Sequence, residues 1–91
     1  SRIKIGKTVT VKGKKFVIQP ATQKGKKYKA VPVSGGASIH FGDASYRVSP
    51  GTPRGDAYCA RSSGINTGKE PSANDFARML WNCNGKSSQK N

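Results

Sequence analysis

The sequence predicts an α+β fold: a small antiparallel β-sheet in the N-terminal half, residues 1–49, followed by two short helices within residues 50–85 and a tail over 86–91. Three observations predict it. Apolar and cationic residues alternate with period two through most of the first half, the mark of half-buried strands. A cluster of Pro, Gly and Thr at 50–53 then punctuates the chain. Beyond Ser72, apolar residues recur at helical spacing. At 91 residues, with no internal repeat, the chain has room for one domain.

Taken in order, RIKIG and KTVTVKG alternate, with Ile3, Ile5, Val9 and Val11 on the apolar side. KGKK is a tight turn into KFVIQP, and Pro20 ends that strand or sets it at an edge. TQKGKK is a basic loop. KYKAVPV is a further alternating run that puts Tyr28, Ala30 and Val33 on one face, with Pro32 arguing for an edge position. Ser34-Gly35-Gly36 is a hairpin turn. ASIHFG returns with Ile39 and Phe41 on one face and His40 on the other, and residues 46–48 add a short piece. Thr52 is a natural N-cap and Pro53 a natural first helical residue, so a helix runs to about Ser63 with Gly64 beyond its end. Ser72 opens the second helix with Asp75 three residues on. Ala73, Phe76, Ala77, Leu80 and Cys83 form its apolar stripe, Trp81 lies beside them, and Gly85 caps it. KSSQKN is a tail.

Composition bounds the function. The formal net charge is +13, from 17 Lys and Arg against 4 Asp and Glu. A charge of that size strains the compact state unless something anionic lies alongside. The cations are concentrated: Arg2, Lys4, Lys7, Lys12, Lys14, Lys15, Lys24, Lys26, Lys27 and Lys29 precede residue 37, where there is no acid at all. Lys12, Lys14, Lys15, Lys24, Lys26, Lys27 and Lys29, on strand faces and turns, are candidate contacts to phosphates or to an acidic protein. Arg47, Arg54, Arg61 and Arg78 add fork-shaped donors. Contacts of this kind position a partner without reading its bases. Phe41, Tyr58, Phe76, Leu80 and Trp81 are the candidate anchors of the core or of an interface.

Catalysis and metal binding find little support. His40 is the single histidine, and Cys59 is the nucleophile it would have to serve. No phosphate-loop, metalloprotease or dinucleotide motif is present. No close-spaced pair of Cys or His offers a zinc site. The expectation is a chain that is not an enzyme and holds no cofactor or metal. Cys59 and Cys83 fall on the two helices and form either a packed pair of thiols or a disulfide. The hydrophobic share is 33%, which implies a thin core. No apolar run approaches membrane-spanning length, so no membrane partner is expected. Arg54-Gly55-Asp56 falls in the first turn of a helix. There an acid suits the positive N-terminus, and an adhesion role does not fit.

The runs GGASIHFGDASYRV, PGTPRGDAYCARSSGI and SANDFARMLWNC resemble a group of small basic proteins of tailed bacteriophages. More distantly they are similar to proteins of large DNA viruses with a Lys-Tyr-Lys-Val strand, a His-Phe-Gly turn, a Tyr-x-x-Arg helix and a closing Leu-Trp-Asn. The matching positions lie between residues 26 and 86, among them His40, Phe41, Gly42, Tyr58, Arg61, Leu80, Trp81 and Asn82. The resemblance implies a viral origin and no established chemistry. The expected function is that of a minor structural protein of a virion, present in many copies and in the host cytoplasm during assembly. It would dock on capsid, portal or other virion proteins by charge and strand-edge pairing, with packaged DNA touched through its phosphates. The rival expectation is a soluble nucleic-acid-binding or ribosomal-type protein without base specificity.

Overall fold

The alternating half of the chain does fold as a sheet, in a computed structural model that describes residues 2–45, 47–64 and 68–90. Strands β1 (Thr8–Val11), β2 (Lys14–Pro20), β3 (Lys26–Pro32) and β4 (Ile39–Asp43) form an antiparallel meander in sequence order. Helices α1 (Pro53–Ser62) and α2 (Ala73–Leu80) follow, and a small hairpin, β5 (Cys83–Asn84) and β6 (Ser87–Ser88), closes the described chain. The architecture is therefore the α+β one that the patterning predicts.

The β1–β2 turn shows how local chemistry sets register. Val11 pairs with Lys14, which leaves a two-residue loop of Lys12 and Gly13. Both have positive φ, 49° and 80°, the backbone that matches the twist of a two-residue hairpin. Register then follows by alternation. Val9, Val11, Phe16, Ile18, Ala30 and Phe41 all fall on one face and are buried. Helix α2 covers that face with Phe76 and Leu80, and Ile3 joins them. Phe76, fully buried, is the keystone. Its ring meets Phe16 edge-on at 5.0 Å and stacks on Phe41 at 5.2 Å.

Several elements differ from expectation. RIKIG is not a strand, because the chain turns where the Lys7 amide donates to the Lys4 carbonyl at 3.1 Å. The turn separates Ile3, which is buried, from Ile5, which is 49% exposed. Val33 does not share the face of Tyr28 and Ala30. It has the opposite parity and is 60% exposed. Strand β3 is central, and Pro32 is tolerated because β4 reaches only as far as the Ala30–Ile39 pair. Residues 47 and 48 form no strand, though Val48 packs on the core; Tyr46 lies outside the described residues.

The two N-terminal capping assignments hold. The Thr52 hydroxyl accepts from the Gly55 amide at 3.2 Å, and the Asp75 carboxylate accepts from the Ser72 amide at 2.8 Å. Helix α2 stops at Leu80, however, and Asn82 at φ 58° turns the chain away. Cys83 therefore lies on β5, and Gly85 sits in the hairpin turn and does not cap the helix.

The tail is docked on the helical half. The buried Ser88 donates its amide to Asp56 Oδ1 at 2.7 Å and its hydroxyl to the Trp81 carbonyl, while accepting from the Gly51 amide at 2.9 Å. This contact explains Arg54-Gly55-Asp56. A Cβ on Gly55 would lie 2.6 Å from Ser88 Oγ and 2.7 Å from its Cβ. The tripeptide seats the terminal hairpin, with glycine allowing the approach and aspartate holding the amide. Gly55→Ala is expected to cost about 1–3 kcal/mol through forced displacement of the hairpin, despite alanine's better helix propensity. Urea denaturation of the two proteins measures it, and equal stability would mean that the hairpin moves aside freely.

Candidate nucleic-acid interface

With one face of the sheet under α2, the other carries the odd residues of β2 and β3 and the even residues of β1 and β4. The register aligns them in rows. Thr10 lies beside Lys15; Thr8, Val17 and Val31 form the next row; Gln19, Lys29 and His40 form the third. Lys27 follows on β3. Lys15 is exposed, and Lys27 and Lys29 are half-buried along their stems, as expected of long cationic side chains lying over a sheet. His40 Nε2 is 3.1 Å from Thr22 Oγ1.

All four carboxylates are engaged elsewhere. Asp43 accepts from the Ser45 amide at 2.8 Å and hydroxyl at 2.7 Å. These bonds, with Lys26 and Lys27 nearby, hold it below the usual carboxylate range. Asp43 has the parity of Phe41, on the inner side. Asp56 holds the terminal hairpin. Glu70 binds Lys14 Nζ at 2.7 Å, and that hydrogen bond and charge lower its pKa. Asp75 meets Lys12 Nζ at 3.2 Å and caps α2. The outer face of the sheet is thus cationic and carries no acid.

The candidate cations consequently separate into groups. Lys15, Lys27 and Lys29 share the outer face. Lys24 is exposed on the β2–β3 connection, and Lys26 stands opposite Asp43 at the end of the sheet. Lys12 and Lys14 tie the first hairpin to the start of α2 and to Glu70, and so act within the molecule. Arg47, Arg54 and Arg61 are exposed but lie in the loop after β4 and on α1, away from the sheet face.

Arg78, expected as a docking arginine, is bound within the molecule. Its Nη1 donates to the Cys59 carbonyl at 2.8 Å and to Ser62 Oγ at 2.6 Å, and its Nη2 donates to the Gly85 carbonyl at 2.7 Å. It joins α2 to α1 and the terminal hairpin and is not a docking arginine. Thr8, Thr10 and Gln19 belong to the face and were missed, although splitting each strand by parity would have found them.

The anchors divide as well. Phe41, Phe76 and Leu80 belong to the main core. Tyr58 stacks on Trp81 at 5.5 Å beneath α1, where burial raises its pKa. Cys59 and Cys83 form a disulfide, with Cys59 fully buried. The Cys59 sulfur is thereby bonded and cannot serve as a nucleophile for His40 in this state. Among the described residues no three His, Cys, Asp or Glu side chains gather as a metal site. No helix among them is long and apolar enough to cross a membrane. Comparison with protein-family models, with curated proteins and with solved structures gave no match.

Proposed function

We propose that this protein is a non-enzymatic binding module that grips the phosphate backbone of nucleic acid through the outer face of its sheet, and that it does so as a minor structural component of a virion. The observation that carries the binding is the acid-free cationic face, with every carboxylate spent on internal contacts. The viral setting rests on the sequence resemblance alone. A face of this kind attracts phosphates electrostatically and loses affinity as salt displaces it.

The test is fluorescence anisotropy with labelled DNA across a salt series. The K15Q/K29Q double variant is expected to bind more weakly and to lower the slope of log affinity against log salt by about 2, since each phosphate contact contributes roughly 0.9. Its thermal melt should match the parent's, because neither lysine belongs to the core. An unchanged slope would remove the sheet face from the binding account. Mass spectrometry of purified particles, full against emptied, tests the setting. Loss of the chain with the genome supports nucleic acid as the partner.

A second reading has one observation in its favour. Strands β1 and β4 are the two outer strands of the sheet, and an outer strand can pair with a strand of a neighbouring protein. Retention of the chain at fixed stoichiometry in emptied particles would favour this docking on capsid or portal subunits.

A further inference from the structure

Resting on that reading of the face, we infer that its partner is duplex DNA and that the sheet seats across the major groove, with Lys15 and Lys29 on opposite phosphate backbones. Lys15 and Gln19 are four residues apart on β2, and Lys29 pairs with Gln19. At a strand rise of about 3.4 Å per residue, the two lysine rows stand about 14 Å apart along the strands. The strip between them has no charge. It is the row Thr8, Val17 and Val31, short side chains that present methyl groups.

That spacing is closer to the width of one groove than to that of the other. The major groove of B-form DNA is about 12 Å wide and the minor groove about 6 Å. Long lysines bracketing a low, methyl-bearing strip reach both backbones of the wider groove. The strip itself spans the mouth of the groove, above base edges that lie about 8.5 Å deep, so the seat follows the spacing of the backbones and does not read sequence. The major groove of A-form RNA is deep and narrow and does not admit such a surface.

The aromatics argue against a single strand. Binding to unpaired bases relies on aromatic platforms. Among the described residues Phe16, Tyr28, Phe41 and Phe76 lie on the covered side of the sheet, and Tyr58 stacks on Trp81 in the helical half. None of these lies on the outer face, whose one ring among the described residues is the His40 imidazole, within hydrogen-bond distance of Thr22 Oγ1.

The experiment compares four probes with the intact oxidised protein at one salt concentration: duplex DNA of mixed sequence, each of its single strands, and the duplex RNA of the same sequence. Duplex DNA is expected to bind at least about tenfold tighter than either alternative. A major-groove dye should be displaced and a minor-groove dye left in place. Thr8→Glu, an exposed edge substitution, should reduce duplex affinity at least about tenfold by facing phosphates with a carboxylate, with no change in the melting curve. Equal, lysine-dependent binding to all probes would overturn the groove assignment and leave the phosphate-binding reading standing. Displacement of the minor-groove dye instead would also overturn it. Failure of every probe to bind would remove both.

Discussion

Phe76→Ala is expected to lower the stability of the chain by about 3–5 kcal/mol at 25 °C, the range for emptying a fully buried aromatic site. A chain of this length has a total stability on the order of 5–10 kcal/mol, and a thin core leaves it little reserve. The ring has no exposed surface and is held between Phe16 and Phe41. Truncation therefore removes buried area and two aromatic contacts worth about 0.5–1.5 kcal/mol each. It also removes the main side chain by which α2 covers the sheet. Phe76→Leu keeps most of the volume and should retain the fold. Urea denaturation followed by far-UV circular dichroism and by Trp81 fluorescence measures both variants. A loss under about 1 kcal/mol for Phe76→Ala would mean that the site collapses without α2, contrary to the packing described. DNA binding separates the roles: Phe76→Leu should bind as the parent does, because the ring lies on the opposite side of the sheet from the lysines.

Most of the sheet was legible because its determinants are local. Lys12-Gly13 between alternating runs is a two-residue hairpin by chemistry, and that turn sets the facing of the residues in the two strands it joins. The caps at Thr52 and Ser72 were legible for the same reason. The first strand misled because Ile3 and Ile5 alternate like a strand while a turn at Lys4–Lys7 sends only Ile3 inward. Tertiary demand for an apolar residue under α2 outweighed a two-residue pattern.

The seat of the tail was not legible for a different reason. KSSQKN has no apolar residue, so hydrophobic patterning has nothing to detect. Ser88 is buried by hydrogen bonds to Asp56, Gly51 and Trp81, and its partners lie far away in sequence. The same limit applies to the site. Counting lysines identified a cationic half, but the ion pairs of Lys12 and Lys14 with Asp75 and Glu70 join residues more than fifty positions apart. Arg78 has the composition of a surface arginine, and only the approach of α1 and the hairpin shows that it is an internal staple.

Reducing the Cys59–Cys83 bond is expected to lower stability by about 3 kcal/mol, given the loop that a separation of 24 residues closes. For a domain of this size that is a fall of roughly 10–20 °C in melting temperature. The loss should be uneven. Helix α1 buries only Gly55, Cys59 and Ser62, so it lacks the apolar stripe that holds α2. Its attachments are the disulfide, the Tyr58–Trp81 stack, the Arg78 bonds, the seat of Ser88 and the bonds of Asn74 with the Tyr58 hydroxyl and the Ser62 carbonyl. Arg2 Nη2 adds a bond to the Cys83 carbonyl at 3.0 Å. With the bond open, α1 and the terminal hairpin should exchange amide hydrogens at low protection, while the sheet and α2 retain theirs. The cationic face then survives reduction at 25 °C, and DNA affinity measured with and without reductant should agree within about twofold. Loss of protection throughout the chain at once would mean that α1 is integral to the core, and an unchanged melting curve would mean that the noncovalent contacts suffice. Disulfides persist in oxidising surroundings, virion surfaces among them, and are rare in the cytosol. A chain assembled in a host cytoplasm would thus carry a folded, binding-competent sheet before the bond forms, and the bond would fix the helical half afterwards.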